Sequence, residues 1–270
     1  MTALPLGNYE DVSARAIAAL RQAEVIVCED TRKIKHLLQT LSIDSEARFF
    51  SAPAGKDAEI NWQQWCEQNK GKKVVLVSDA GTPIVNDPGR QLLLAAKKEG
   101  AQIEALPGPC APILAYQWSG GFGLPIHFSG FVPKKQMAEF FKENMHGRTL
   151  IFFETKHQYR KSLSALVDLG LSDQKIFVAR EMTKTHEELL STTVGECSRL
   201  LEDRQGDQNG ALGEMTFVLE LPPAQVTGSA SVEDLLQIRF TPPKEASKII
   251  AKIGGGNAKD IYKRMVEWKA

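Results

Sequence analysis

The chain has 270 residues, 43% of them hydrophobic and 24% charged, with a mean hydropathy of −0.23. No stretch approaches the roughly 18–20 consecutive apolar residues that a membrane span needs, and Met1–Leu6 is too short and uncharged for a secretory signal, so a cytoplasmic protein is expected. Lys plus Arg (33) balances Asp plus Glu (33), which argues against a chain-wide electrostatic grip on nucleic acid but not against a local basic face.

Short apolar runs at 24–28, 47–50, 73–78, 102–106, 126–131, 148–153, 175–179 and 215–221 read as buried strands, because they are continuous rather than alternating. Helical patterns fall between them at 12–21, 33–41, 58–69, 90–100, 110–118, 136–145 and 158–169. In the first helix Val12, Ala16, Ala19 and Leu20 share a face. Strand–helix alternation predicts an α/β fold with largely parallel sheets. At about 150 residues per domain the length predicts two domains. The glycine cluster at 119–125 and the Pro/Ala/Gly/Ser stretch from Pro222 divide the chain into 1–119, 126–223 and a helical tail at 229–270. In the tail, 232–240, 244–253 and 259–268 read as helices, the last two around a Gly turn with a helix-turn-helix look.

Four cysteines (Cys28, Cys66, Cys110, Cys197) form no CxxC pair, and five histidines form no HxxxH or HExxH pattern, so neither a disulfide framework nor a metal site is expected. A P-loop, a Rossmann fingerprint and a nucleophile elbow are absent. Four other junctions can carry chemistry. Val74–Gly89 runs from a buried strand into a polar loop in which Gly81 admits a ligand to the backbone and Asp79 and Asp87 can accept hydrogen bonds. Leu106–Ala111 joins a strand to a helix, whose free N–H groups can face a ligand. Leu4–Asn8 precedes the first helix, and Cys28–Arg32 sets three charges and a hydroxyl after a strand. All four lie at strand–helix junctions in the first 120 residues, so they are expected to converge on one crevice. A proline-stiffened structural loop is the alternative for the first of them, and a local ion-pair network for Glu29, Asp30 and Arg32.

Read together, Pro5-Leu-Gly-Asn8, Glu29-Asp-Thr-Arg32, Ser78-Asp-Ala-Gly-Thr-Pro83, Asn86-Asp-Pro-Gly89, Pro107–Ala111 and Gly130-Phe-Val-Pro133 carry a resemblance. With Thr149–Glu154, Ala179–Thr185 and Gly213–Met215, the set resembles the ribosomal RNA methyltransferase branch of the tetrapyrrole methylase superfamily over nearly the whole chain. The resemblance implies a two-domain tetrapyrrole-methylase-like α/β fold with a cofactor cleft between the domains. It implies S-adenosylmethionine as cofactor, a homodimer, and methylation of the 2′-hydroxyl of a cytidine in 16S ribosomal RNA, free or in the small ribosomal subunit. Carried over residue by residue, it places the cofactor against Pro5, Asp79, Ala80, Gly81, Thr82, Val85, Cys110, Ala111, Glu154, Met182 and Thr183. Thr82 stands where the superfamily often has Asp, which leaves that contact to the backbone.

Methyl transfer from a sulfonium is an in-line displacement helped by positioning, and a ribose hydroxyl needs a proton acceptor. Asp30, Glu181 and Asp79 are candidates for that acceptor. Asp30, Glu181 and Lys184 form the expected catalytic set; Glu29, Arg32, Lys134 and Lys135 are the expected substrate contacts, with Lys184 and Arg32 suited to phosphates. Three departures from the family pattern stand out. Only Met1–Leu4 precede the Pro-x-Gly-Asn motif, so the opening central strand is expected to be cut short or to start further upstream. The stretch Phe50–Lys56 replaces a His-rich segment, and Trp118 is bulky where small residues usually end the linker helix, a place for a core or dimer contact. Two segments are locally basic: 134–161, with seven basic residues against three acidic, and 230–270, with eight against five. Lys244, Lys248 and Lys252 share one helix face, which is either an RNA surface or a solvated face. A tetrapyrrole- or corrinoid-type small-molecule methylase and a cofactor-binding paralogue without catalysis are the competing readings.

Overall fold

The computed structural model describes residues 1–53, 55, 59–204, 213, 215–222, 242–254 and 257–267. The chain forms two compact units, Met1–Leu221 and Pro222–Ala270.

The first unit contains two sheets. In the first, β1 (Val25–Cys28) lies between β2 (Arg48–Ser51) and β3 (Val74–Leu76), and both pairings are parallel, with Val25 opposite Arg48 and Val74. All four residues of β1 are buried, as a central parallel strand covered on both faces must be. Successive side chains alternate between two cores. Ile26 and Cys28 join Leu20 of α1 (Ala14–Gln22) and Ile34, Leu37 and Leu38 of α2 (Thr31–Thr40). Val25 and Val27 join Trp62 and Trp65 of α3 (Trp62–Gln68) and Leu92 of α4 (Arg90–Lys98). The hydroxyl of Ser13 caps α1 by accepting from Ala16 N–H (3.1 Å), and Asp30 caps α2 by accepting from Arg32 N–H (2.9 Å).

Two expectations are corrected here. The segment 102–106 is no strand; only Leu106 pairs, with Thr2. Its neighbour in the sheet is Met1–Thr2, which reaches far enough to donate from Thr2 N–H to Leu76 O (3.1 Å) and to accept at Met1 O from Leu106 N–H (2.9 Å). The helix expected over 58–69 begins at Trp62, where Asn61 supplies the cap.

Helix α5 (Ala111–Trp118) leads to the second sheet, ordered β4 (Ile126–Phe131), β5 (Thr149–Glu154), β8 (Met215–Glu220), β6 (Lys175–Arg180) and β7 (Glu188–Thr193). Only β4–β5 is parallel; β5–β8, β8–β6 and β6–β7 are antiparallel. This corrects the expectation of largely parallel sheets: a strand covered on both faces is a continuous apolar run in either direction. One face packs Phe152 stacked on Phe217 (5.1 Å) with Phe141 of α6 (Met137–Asn144) and Tyr159, Leu163 and Leu166 of α7 (Tyr159–Asp168). The other buries Ile151, Phe177, Ala179 and Val218 against Ala115 of α5, with Trp118 partly buried at its margin. So α5, which leaves the first sheet, is a core element of the second. Strand β7 and helix α8 (Val194–Arg204), which buries Val194, Cys197 and Leu201, fall where no element is expected from the sequence.

In the second unit, α9 (Pro243–Gly254) and α10 (Ala258–Glu267) pack through Ala246, Ile250, Ile261 and Met265. Lys244 and Lys248 are exposed on α9. The helix expected over 232–240 lies outside the described residues.

Candidate functional site

Because β1 and β3 are parallel neighbours, the loops after them start side by side. Asp30 N–H donates to Asp79 Oδ1 (3.1 Å), and Lys33 Nζ, from the first turn of α2, donates to Asp79 Oδ2 (2.6 Å). Arg32 grips the Asp30 carboxylate with two donors, Nε to Oδ1 (3.0 Å) and Nη2 to Oδ2 (2.7 Å). The Arg32 hydrogen bonds pull the Asp30 carboxyl down to about 2, and the bond to Asp79 raises the Lys33 ammonium. Asp79 thus ties the two loops together. Glu29 follows β1 half-buried, its carbonyl accepting from Ser51 Oγ (2.9 Å).

The loop after β3 is then fixed to the chain start. Leu4 and Gly81 exchange two backbone hydrogen bonds (2.9 and 3.0 Å), and Ser78 Oγ donates to the carbonyls of Ala80 and Gly81. Gly81 has φ +70 and lies so close to Leu6 that a Cβ would sit 3.0 Å from its Cδ2. Thr82 Oγ1 donates to Pro109 O (2.7 Å), which brings the 81–85 loop to the start of α5. Cys110 is the N-cap of α5 without a side-chain cap bond, and the first intrahelical bond is Leu114 N–H to Cys110 O. The N–H groups of Ala111 and Ile113 therefore project from the helix end. Ile84 (φ 73) and Asn86 (φ 68) hold left-handed backbone without glycine, at a cost of about 1–3 kcal/mol each. Asn86 Oδ1 fills the space beside Gly130 at the end of β4, 2.7 Å from where a Cβ would stand. This loop therefore touches both sheets.

The loop after β6 reaches back to the first. Asn8 N–H donates to Thr183 Oγ1 (3.1 Å). A Cβ on Gly7 would stand 3.0 Å from Met182 O and 3.1 Å from Lys184 N. Glu181 (φ 49) and Thr183 (φ 63) are again left-handed, and Lys184 Nζ pairs with Glu181 Oε2 at 3.0 Å. Arg180 and Glu188, both largely buried, pair at 2.5 Å and hold the base of this loop.

A cavity of about 330 Å³ opens among these loops, lined by Pro5, Gly7, Lys33, His36, Asp79 and Lys184 among others. That is within the size range of small-ligand sites. Lys33 and His36 are additions to the residues singled out in the sequence. Nothing in the pattern of α2 marks them, since they look like ordinary solvent-facing helix positions until β1 and β3 set Lys33 beside Asp79.

Other expected site residues stand elsewhere. Glu154, at the end of β5, is buried, and its carboxylate accepts from Ser162 Oγ, Gln158 Nε2 (3.1 Å) and Thr155 N–H (2.9 Å). Burial pushes its pKa up despite these bonds. Lys134 and Lys135 are exposed between β4 and α6 and make no ion pair among the described residues. Burial pushes the Cys28 and Cys197 thiols up to about 11 and about 12, far from the reactive thiolate range. Among the described residues no group of three His, Cys, Asp or Glu could hold a metal ion.

The family model of the tetrapyrrole (corrin/porphyrin) methylases matches residues 3–198. Ribosomal RNA small subunit methyltransferase I of Escherichia coli O157:H7 is 33% identical over 97% of this chain and 92% of its own. The protein of that name from Thermotoga maritima is 34% identical over 80% of this chain and 94% of its own. Among solved structures, diphthine synthase superposes with a TM-score of 0.59 at 18% identity, covering 81% of this chain and 88% of that one. The cobalt precorrin-4 methyltransferase CbiF gives 0.57 at 18% identity over 82% and 95%. These two show the fold. The chain belongs to the tetrapyrrole methylase family, in the branch of the small-subunit ribosomal RNA methyltransferase I proteins.

Proposed function

We propose that the chain is an S-adenosylmethionine-dependent 2′-O-methyltransferase acting on a cytidine of 16S ribosomal RNA, free or within the small ribosomal subunit, as a cytoplasmic homodimer. The observation that carries this reading is the convergence of the 5–8, 79–86, 109–111 and 182–184 loops, each held to another by the contacts described above, in a chain related over nearly its full length to proteins named as ribosomal RNA methyltransferases.

The residues present suit the cofactor. Gly81 leaves a surface without a Cβ, the N–H groups of Ala111 and Ile113 suit a carboxylate, and the loop with strained backbone at Ile84 and Asn86 meets Gly130 through the Asn86 side chain. Pro5, Thr82, Val85, Cys110, Met182 and Thr183 lie on the same loops. Bound S-adenosylmethionine supplies a methyl group on a sulfonium. Glu181 takes the proton of the ribose 2′-oxygen, and Lys184 beside it holds an RNA phosphate. Asp30, clamped by Arg32 and pulled to about 2, is too weak a base for that task and orients Asp79 through its own N–H. Lys33 and Asp79 fix the wall against which the ribose sits. Lys134, Lys135 and the exposed Lys244 and Lys248 add contacts to the RNA backbone.

The test is mass mapping of 16S ribosomal RNA from strains with and without the gene, together with methyl transfer by the purified chain onto small subunits lacking the mark. One cytidine 2′-O-methyl group should disappear in the deletion strain and return in vitro. Unchanged modification, or transfer to a porphyrinoid instead, would overturn the assignment.

A further inference from the structure

A short 3-10 turn, Tyr9–Asp11, is fastened to the loop after β6 through the two residues ahead of it. Asn8 N–H donates to Thr183 Oγ1 (3.1 Å), and Gly7 packs against the backbone of Met182 and Lys184. The turn itself is fixed by hydrogen bonds. Asn8 Oδ1 accepts from Glu10 N–H (3.0 Å), Asn8 O from Asp11 N–H (3.1 Å), and Tyr9 O from Val12 N–H (3.3 Å). The backbone of Tyr9 is thus set at a defined distance from the loop that carries Glu181 and Lys184.

The ring on that backbone does little for the fold. No residue of the turn is buried, and Tyr9 is 40% exposed. It belongs to none of the hydrophobic clusters among the described residues. Instead it lines the cavity of about 330 Å³, together with Lys33, His36 and Leu37 of α2 and Lys184. Among the described lining residues it brings the one benzene ring. Its neighbours Glu10 and Asp11 are exposed carboxylates, and the turn carries no cation, so it repels a phosphate. What such a turn can take is an uncharged, flat group laid against the ring.

We propose that Tyr9 is the platform on which the base of the target nucleotide stacks, an inference that rests on the reading of this cavity as the site of RNA methylation. Aromatic side chains hold unpaired bases that are splayed out of a strand. The ribose is one glycosidic bond from the base. With the base on Tyr9, the sugar lies between the platform and the 181–184 loop, its 2′-hydroxyl toward Glu181 and its phosphate toward Lys184. The Gly7 and Asn8 contacts keep that spacing constant. Every base has a π-face, so stacking does not distinguish cytosine from other bases. Tyr9 selects for a nucleotide that is unpaired.

The experiment compares wild type, Tyr9→Phe and Tyr9→Leu. The readouts are methyl transfer to small ribosomal subunits lacking the mark, S-adenosylmethionine affinity by calorimetry, and thermal midpoint. Tyr9→Leu should lower kcat/KM for the subunits about tenfold or more, and Tyr9→Phe, which keeps the ring, less than about threefold. Both should bind S-adenosylmethionine within about twofold of wild type and melt within about 2 °C of it, as exposed substitutions do. Equal kcat/KM for Tyr9→Leu and wild type would overturn the proposal and leave the RNA reading standing. A loss of S-adenosylmethionine affinity that matches the loss of rate would also overturn it, because the ring would then lie against the cofactor. Wild type that binds S-adenosylmethionine but transfers no methyl group to the subunits would remove the RNA reading and the platform with it.

Discussion

Lys33 Nζ stands 2.6 Å from Asp79 Oδ2, which joins the first turn of α2 to the loop after β3. The Lys33 side chain is 63% exposed and that of Asp79 21%. A pair so open to water contributes about 0.2–1 kcal/mol to stability. Its value is positional, because Asp79 also accepts from Asp30 N–H and lines the cavity. Lys33→Met should therefore lower the thermal midpoint by no more than about 3 °C while lowering kcat/KM for methyl transfer at least about tenfold. A double-mutant cycle with Asp79→Asn measures the coupling. Additive losses would show that the pair does not act as a unit.

Gly7 is a point of close approach between the two halves of the first unit. Its φ is not left-handed, so alanine is disfavoured by space alone. The Lys184 side chain can swing aside from a new Cβ, but the backbone at Met182 O and Lys184 N, 3.0 and 3.1 Å away, cannot do so without moving the loop. Gly7→Ala should destabilise by about 1–3 kcal/mol and weaken S-adenosylmethionine binding by calorimetry. Full affinity in the variant would show that the loop position is not needed for the cofactor.

Glu154 gives a pH signature. Its folded pKa lies above the ordinary 4.5, mainly because burial penalises the charged form. The folded state then holds the proton more tightly than the unfolded state, so this group adds stability below 4.5 and loses it as pH rises through the folded value. Glu154→Gln should remove that component. Denaturation midpoints of the wild type should gain relative to the variant as pH falls from 7 toward 4.5. Parallel curves would contradict the direction of the shift.

What the sequence displayed, and what it hid, follows from what each segment packs against. Val25–Cys28 is four apolar residues buried on both faces, and its run needs no partner to be recognised. The direction of its partners leaves no trace, which is why the antiparallel β5–β8–β6–β7 ladder was not legible. Glu188–Thr193 is an edge strand with only Leu190 buried, too weak a pattern to announce itself. Val194, Cys197 and Leu201 do follow a helical period, but Gly195, Glu196, Ser198 and Arg199 between them leave only a narrow apolar stripe. At the site, Gly81 and Pro5 were legible because glycine and proline mark unusual backbone. The left-handed Ile84, Glu181 and Thr183 were not, since these residue types seldom adopt that backbone and nothing local marks it, and neither was Asn86, whose Oδ1 meets Gly130 only in the fold.

Glu181 and Asp30 are the two carboxylates whose roles the geometry separates. Asp30 accepts three hydrogen bonds from Arg32, and its carboxyl is held at about 2, so it stays ionised through the working pH range and is a poor proton acceptor. Among the described residues Glu181 pairs with Lys184, on the loop that touches Gly7. If Glu181 takes the ribose proton, Glu181→Gln should lower kcat by about 10²-fold or more with KM changed less than about threefold. Lys184→Met should instead raise KM for RNA and reduce its salt dependence, as loss of a phosphate contact does. Asp30→Asn keeps the Asp30 N–H bond to Asp79 and should cost less than about tenfold in kcat. A loss of about 10²-fold in kcat for Asp30→Asn, with less than about tenfold for Glu181→Gln, would reverse the two roles.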